Sequence, residues 1–245
     1  MMDKAGESCY TPVRSMIKTR VFALLAAACA AAAGCNPPKY VAYRSVNGDF
    51  STVAPWGWQI YTDQEGDGTA FAQTTFIGPF DPQFYLGAPS ITVRWYRNYF
   101  PRQMRDGRLE SYNSAEDFIA RTLGEIYGPD YELESPVKDI DLRQSGLTAR
   151  HFVVLSPVRV PAETRNGVEI DENNVPHNVR RHAYVVVPMG EGFYVLTYPA
   201  TRLGYDKFIQ NFNQMVSSFL PIKRGPGGRK LRLPGPGKSG SAVDA

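Results

Sequence analysis

The 245-residue chain contains 43% hydrophobic and 12% aromatic residues, which suffices for one sizeable core and argues against general disorder. Its 27 basic and 24 acidic residues give a formal net charge of +3, but the basic excess is concentrated at the C-terminal end. Of the three cysteines, only Cys35 would remain after cleavage directly before it, which excludes a disulfide framework, a thiol nucleophile and a cysteine-based zinc site in the mature chain.

The N-terminal segment predicts export and lipid attachment. A basic pair precedes an uncharged run, residues 21–33, which is shorter than the roughly 20 apolar residues of a transmembrane helix. Small residues then stand directly before Cys35, and this pattern resembles the bacterial lipobox, with Ala32 in place of the usual leucine. We expect residues 1–34 to be a signal peptide, with Met16 as the true start. Ordinary secretory cleavage is the alternative, but it would not explain the cysteine.

Acylation would make this chain a membrane-anchored lipoprotein of the bacterial cell envelope that faces the periplasm. Two or more acyl chains, palmitate among them, hold a protein on a membrane stably where one does not. Residues 35–47 are then expected to be the lipidated N-terminus and a tether. A single globular domain is predicted over residues 48–221, because no internal repeat or long linker interrupts this range.

The domain is predicted to consist mainly of β-strands. Short β-branched and aromatic stretches bounded by Gly, Pro or Asp predict strands, and these cover residues 49–53, 57–61, 70–77, 90–96, 137–143, 147–160, 181–188 and 192–198. The last two should form a hairpin that turns at residues 189–192. Residues 161–179 are expected to be a long loop.

Two segments have helical periodicity. In residues 113–127, Ser114 can cap the first turn, Glu116 and Asp117 suit the helix dipole, and Gly128-Pro129 ends the helix. The predicted apolar stripe of this helix contains Phe118, Ile119, Leu123 and Ile126. A second helix should begin near Tyr205 and stop at Pro221, and its stripe contains Phe208, Phe212, Met215, Val216 and Phe219. Such a stripe predicts a helix that packs on a sheet.

The last 24 residues, 222–245, are rich in Gly and Pro and have almost nothing to bury, which predicts a disordered basic tail. A basic tail can attract anionic lipid or nucleic acid. We expect only weak attraction to anionic surfaces and no nucleic-acid partner, because an exported protein seldom meets nucleic acid.

Three segments carry a resemblance to a known family: APWGWQIY (residues 54–61), GEGFYVLTYPA (190–200) and FNQMVSSF (212–219). They are similar to segments of the PsbP-like superfamily, which includes bacterial lipoproteins. The resemblance implies an α+β fold, an antiparallel β-sheet covered by helices on its faces. It also implies docking onto other macromolecules, as the photosystem extrinsic subunit and a nuclear-transport cofactor do, with no shared catalytic residues and no cofactor.

The segment DQEGDG, residues 63–68, has the opening spacing of an EF-hand calcium loop. The closing position, where a bidentate glutamate should stand, is Thr74, and no helix is predicted on either side. A polar turn between strands is therefore the favoured interpretation, with calcium binding as the alternative, and no metal site is predicted.

Candidate catalytic groups are sparse. His151, His177 and His182 lack the i, i+4 spacing of a helical metal site, and Ser156 lacks the surroundings of a nucleophile elbow. Structural roles are favoured for all of them, so the sequence predicts a non-catalytic protein. The alternative is an envelope hydrolase or cell-wall enzyme in which one of these histidines meets a carboxylate.

The most unusual stretch is residues 94–108, where five arginines alternate with aromatic residues. Strand alternation should place Arg94 and Tyr96 on one face and Trp95 on the other, with a loop from Pro101 onward. Guanidinium and aromatic groups together bind phosphates, carboxylates and sugar rings. A solvated strand end, with arginine stems packed over aromatic rings, is the favoured interpretation of this stretch. The alternative is a binding site, for which the predicted partner is an anionic glycan or lipid, or an envelope protein. The candidate ligand-binding residues are Arg94, Tyr96, Arg102, Arg105 and Arg108.

Overall fold

The structure is a computed structural model that describes residues 38–65, 67–104 and 106–222. The predictions for the signal peptide, for Cys35, for Arg105 and for residues 223–245 of the tail lie outside the described residues. Residues 1–39 form a separate unit, of which only residues 38 and 39 are described. Every helix and strand below belongs to the unit that begins at Tyr40.

The described residues form a mainly β domain with two α-helices. The strands are β1 (Tyr40–Arg44), β2 (Phe50–Pro55), β3 (Gln59–Gln64), β4 (Phe71–Ile77), β5 (Ser90–Arg97), β6 (Arg102–Gln103), β7 (Leu109–Glu110), β8 (Glu132–Leu142), β9 (Leu147–Arg159), β10 (Glu169–Ile170), β11 (Pro176–Pro188), β12 (Gly192–Thr201) and β13 (Leu220–Pro221). The helices are α1 (Ala115–Arg121), which continues into a π-helical turn (Thr122–Ile126), and α2 (Tyr205–Ser217). Neither α-helix is long and apolar enough to cross a membrane.

An eight-stranded antiparallel sheet organises the domain. Its order is β3-β4-β5-β12-β11-β9-β8, and β10 pairs with β11 beside this path. A second, three-stranded sheet has the order β1-β2-β13, and β6 pairs with β7. The hairpin between β11 and β12 turns where it is predicted, since the Met189 amide donates to the Gly192 carbonyl (2.8 Å).

The large sheet has one apolar core on each face. On β11, Ala183, Val185 and Val187 belong to the core that holds α2 and the small sheet, whereas Tyr184 and Val186 belong to the core that holds α1. Alternate residues of a strand point to opposite faces, so even-numbered residues of β11 lie on the α1 face.

The α+β, antiparallel architecture predicted from the sequence is confirmed, but the prediction that helices cover the sheet is overstated. The α2 face is covered jointly by α2 and the small sheet, through β2 residues such as Phe50 and Ala54. On the other face, α1 spans only seven residues.

Each predicted strand overlaps an observed strand. The predicted tether, the predicted start of the domain and the predicted loop of residues 161–179 need correction. The predicted tether of residues 35–47 contains β1, because Tyr43 packs against Phe50 and Phe76 and thereby joins the domain. The domain consequently begins at Tyr40 and not at residue 48. In the predicted loop of residues 161–179, β10 forms and β11 starts at Pro176, because these strands pair with each other.

Both helices end differently from the prediction. The Ser114 hydroxyl caps α1 as predicted and accepts from the Asp117 amide, but the following π-helical turn shifts the apolar stripe. Ile126 is consequently 53% exposed, and the residue after it, Tyr127, is buried instead. The second helix stops at Ser217, and Pro221 lies in β13 paired with Phe50, so the proline does not terminate the helix.

Candidate functional site

The arginine-rich stretch begins as predicted, in β5. Tyr96 lies on the α1 face, where its ring stacks on Phe193 (centroids 5.4 Å apart, 22° between planes), and Trp95 packs on the opposite face against Tyr194. Tyr96 is buried, and that burial raises the pKa of its hydroxyl to about 12. The structure thus gives Tyr96 a packing role.

Arg102 and Arg108 make intramolecular ion pairs on a short hairpin, β6–β7, where a loop is predicted. Arg102 Nε donates to Glu65 Oε1 at 2.8 Å, and its guanidinium lies 3.5 Å from the ring centroid of Phe71. Arg108 Nε lies 2.7 Å from Asp106 Oδ2 at the surface. Ligand binding by this stretch stays a prediction, and the contacts of Arg102 and Arg108 account for both without a ligand.

The acidic segment of residues 63–68 lies at the turn between β3 and β4. Asp67 Oδ1 accepts from the amide and the hydroxyl of Thr69, at 2.9 and 2.7 Å. Thr74, at the closing position of the calcium pattern, is buried within β4. In the described ranges, no group of three or more His, Cys, Asp or Glu side chains is placed to hold a metal ion.

The three histidines lie apart and in different surroundings. Nδ1 of His151 and Nδ1 of His177 are buried without a hydrogen-bond partner among the described residues. None of the three hydrogen-bonds to a carboxylate within the part of the chain that the structure describes. A histidine oriented by a carboxylate is the arrangement that the hydrolase alternative requires.

His182 belongs to a buried polar cluster on the α1 face. Tyr127 Oη lies 2.6 Å from His182 Nδ1 and 2.6 Å from Tyr184 Oη. His182 and Tyr184 are two residues apart on β11 and therefore point the same way. The π-helical turn brings Tyr127 to them from the end of α1. We call Tyr127, His182 and Tyr184 the hydroxyl–imidazole cluster.

The cluster is uncharged at neutral pH. Burial, reinforced by the positive charge of Arg180, lowers the pKa of His182 to about 3. Burial also raises the pKa of the Tyr127 and Tyr184 hydroxyls, although the charges of Arg94 and Arg180 oppose that rise. The site can accept and donate hydrogen bonds through these groups, but its charge comes from the arginines.

A cavity of about 330 Å³ opens beside this cluster. Its walls are largely apolar, with Phe84, Tyr85 and Leu86 from the β4–β5 loop facing Val158 at the end of β9. Its polar lining includes Asn178, Arg180 and His182, which share the α1 face of β11. A concave, mainly apolar cavity with a few convergent polar groups is the usual form of a small-molecule site. We call it the β11 cavity.

Arg180 is the distinctive group of the β11 cavity. Its guanidinium lies 4.8 Å from the ring centroid of Tyr127, and Nη2 donates to Ser156 Oγ at 2.9 Å. Its Nε is buried without a hydrogen-bond partner, and no carboxylate of the described residues pairs with it. The adjacent Arg181, on the opposite face, pairs with Glu134 and Asp206.

Asn178 also lines the β11 cavity. Its Nδ2 donates to the Gly167 carbonyl at 3.2 Å, which joins the loop after β9 to β11. Its Oδ1 is buried and has no donor among the described residues. Gly167 in turn donates through its amide to Pro82 (2.9 Å), so this contact also supports the β4–β5 loop that forms the apolar wall.

This site is not predicted from the sequence. Arg94, whose charge reaches Tyr127 and Tyr184, is among the predicted ligand-binding residues, but Arg180, Asn178 and Tyr127 are not. Arg94 itself donates through Nε to Gln73 Oε1 at 2.8 Å. The available signal was the alternation NVRRH, residues 178–182, which places Asn178, Arg180 and His182 on one face of a strand.

Fold and site together define an α+β domain with a ligand-sized cavity lined by β9, β11, β12 and the β4–β5 loop. No protein-family model and no curated protein matches the chain. Solved structures similar to it include CyanoP, the PsbP of the cyanobacterium Synechocystis, which is 12% identical, with 77% of this chain and 95% of that chain covered and a TM-score of 0.41.

Two other solved structures are similar to the same extent. The Ran-binding protein Mog1p of Saccharomyces cerevisiae is 11% identical, with 74% of this chain and 95% of that one covered and a TM-score of 0.41. A Pseudomonas aeruginosa protein of unknown function is 15% identical, with 76% and 99% covered and a TM-score of 0.41.

Proposed function

We propose that this chain is a non-catalytic binding protein of the bacterial cell envelope that holds an anionic group of its ligand on Arg180. The carrying observation is the unpaired positive charge of Arg180 in a cavity large enough for a ligand. Arg180 is half-buried, and a partly desolvated charge without a counter-ion is unfavourable in a folded protein. An anion beside the guanidinium would offset that cost when it binds.

Attachment to the membrane through an acylated Cys35 is the second part of the proposal. It is supported by the short apolar run and the lipobox-like residues before the cysteine. An anchored domain of this kind would meet anionic lipids, glycans and their precursors at high local concentration. The anion site therefore suits the predicted location.

The proposal is tested with acetate and inorganic phosphate as probes. Thermal denaturation of the full-length chain is followed at constant ionic strength, with each probe replacing chloride. A ligand that binds only the folded state raises the midpoint, so wild type should be stabilised and Arg180→Gln should not. Arg143→Gln, which removes an exposed arginine between β8 and β9, is the matched control. Equal stabilisation of all three proteins would contradict the proposal.

A further inference from the structure

The large sheet ends at β3, which has a strand on only one side among the described residues. It pairs with β4 over all six of its residues, without a break in register. The Glu65 amide donates to the Phe71 carbonyl (3.2 Å), so the odd-numbered residues of β3 form the hydrogen-bonded pairs with β4. The backbone amides and carbonyls of Ile60 and Thr62 therefore point away from β4, toward the outer edge of the sheet.

The edge at β3 lacks the features that protect the opposite edge, β8. A proline, β-bulges and charged side chains keep an edge strand from pairing with another chain. The sequence of β8 contains Pro136 and several charged residues, and its register with β9 is interrupted twice. In β3 the register is regular, all six residues are exposed, and Asp63 carries the one charge. The edge at β3 is thus suited to the addition of a strand.

The side chains of β3 are complementary to a second copy of β3. In an antiparallel pairing centred on Tyr61, Tyr61 of the two copies face each other, Ile60 faces Thr62, and Gln59 faces Asp63. Aromatic and β-branched cross-strand pairs stabilise a sheet, and Tyr61 and Ile60 are 56% and 39% exposed in the single chain.

Charge and hydrogen bonding favour this register over others. Gln59 Oε1 accepts from the Tyr61 hydroxyl (2.9 Å) within the chain, so the side-chain nitrogen of Gln59 can donate to Asp63 of the second copy. Asp63 forms no ion pair with the described residues. A pairing centred on Asp63 would instead place two carboxylates directly opposite each other, which is destabilising.

We propose that β3 is a homodimer interface, at which two copies of this chain pair antiparallel in the register centred on Tyr61. Backbone hydrogen bonds between Ile60 of each copy and Thr62 of the other join the two large sheets into one. The two-fold symmetry closes the interface, because both β3 edges are used in the dimer. The proposal is independent of the anion site, since β3 does not line the β11 cavity.

Disulfide formation tests the register. In a full-length chain whose three cysteines are replaced by alanine, an introduced cysteine is the only thiol. Tyr61→Cys should form a disulfide-linked dimer under mild oxidation, because directly opposed residues of a non-hydrogen-bonded pair have Cα atoms about 4.5 Å apart. Gln59→Cys, on the same strand, is the matched control: its two copies would lie about 13 Å apart along the strands, too far for a disulfide.

A mixed experiment makes the register test specific. Gln59→Cys and Asp63→Cys should each remain monomeric alone, whereas an equimolar mixture of the two should yield the mixed disulfide dimer. Random collision between exposed thiols would not produce this selectivity.

Sedimentation equilibrium over a range of protein concentrations measures the reversible dimer in the same cysteine-free chain. Tyr61→Lys removes the aromatic pair and places like charges at the two-fold axis, so it should raise the dissociation constant of the dimer about tenfold or more. Val137→Lys, at an exposed apolar position of the opposite edge strand β8, is the matched control and should leave the dissociation constant unchanged.

Three results would overturn the proposal. The cysteine-free chain could stay monomeric at every concentration, which would leave the β3 edge to a partner of different sequence. Equal disulfide yields from Tyr61→Cys and Gln59→Cys would show unspecific collision. Loss of the dimer in Val137→Lys, with Tyr61→Lys still dimeric, would place the interface at β8.

Discussion

The neutral His182 makes the stability of this domain sensitive to acid. Its pKa is about 3 in the folded chain, against 6.5 ordinarily, because burial and the nearby charge of Arg180 disfavour the imidazolium. Below pH 6.5 the unfolded chain binds a proton at this residue that the folded chain does not. The free energy of unfolding should therefore fall with decreasing pH through the window from 6.5 to about 3, and this contribution is fully present above pH 6.5.

The magnitude follows from the shift. Each pH unit below 6.5 costs about 1.4 kcal/mol, so acidification from pH 7 to pH 4.5 should cost about 2.5 kcal/mol at this one site. His182→Asn removes the titration, and its side-chain oxygen can accept from the Tyr127 hydroxyl in place of Nδ1. The variant should therefore lose about 2.5 kcal/mol less than wild type across that range, whatever its stability at pH 7.

The assay is urea unfolding, followed by tryptophan fluorescence at several pH values and extrapolated linearly to water. His151 also has a lowered pKa, because of burial and the nearby Lys138. The comparison is therefore repeated in a His151→Asn background, where His182→Asn should reduce the acid sensitivity by the same amount. Parallel stability curves for wild type and His182→Asn between pH 4.5 and 7 would refute the reasoning.

Three further predictions concern the cluster, the cavity wall and the anchor. Tyr127→Phe leaves His182 and Tyr184 without their shared partner and should lower the free energy of unfolding by about 1–3 kcal/mol. The control, Tyr43→Phe, removes a buried hydroxyl that has no partner among the described residues and should change the free energy of unfolding by less than about 0.5 kcal/mol. Gly167 and Gly146 both have positive φ (60° and 64°), but of these two only at Gly167 would a new Cβ meet backbone, 2.5 Å from Tyr85 N. Gly167→Ala should therefore lower the free energy of unfolding in urea more than Gly146→Ala, and equal effects would show that the contact is unimportant. Cys35→Ala should release the protein from the membrane fraction, whereas Cys29→Ala, upstream of the predicted cleavage, should not, and retention of Cys35→Ala at high salt would exclude lipid anchoring.

Much of the strand pattern could be predicted because its cause is local. In β5, Ile91, Val93 and Trp95 belong to the core on the α2 face, so alternate apolar residues carry the signal within eight positions. The Ser114 cap is equally local, since the hydroxyl bonds an amide three residues later. The position of β1 depends on distant contacts, because the half-buried Tyr43 packs against Phe50 of β2 and Phe76 of β4.

The candidate site could not be predicted, since its chemistry depends on distant contacts. Arg180 and Arg181 are adjacent and chemically identical, and alternation says only that they face opposite ways. Arg181 is neutralised by Glu134, 47 residues earlier, and by Asp206, 25 residues later. No local sequence pattern shows which of the two arginines forms ion pairs with carboxylates. Likewise, the shift from α-helix to π-helical turn decides that Tyr127, and not Ile126, is buried.

The division of charge within the site leads to a final prediction about ligand affinity. Burial is the larger cause of the low pKa of His182, and the charge of Arg180 is the smaller one. A carboxylate on Arg180 would offset only the smaller cause, and it would bury His182 further. His182 should therefore stay neutral in the complex, with Arg180 supplying the charge. The affinity for acetate should then be constant from pH 6 to pH 8, where both the carboxylate and Arg180 keep their charges. A decline in affinity as the pH rises through 6.5, abolished by His182→Asn, would instead show that a protonated His182 holds the anion.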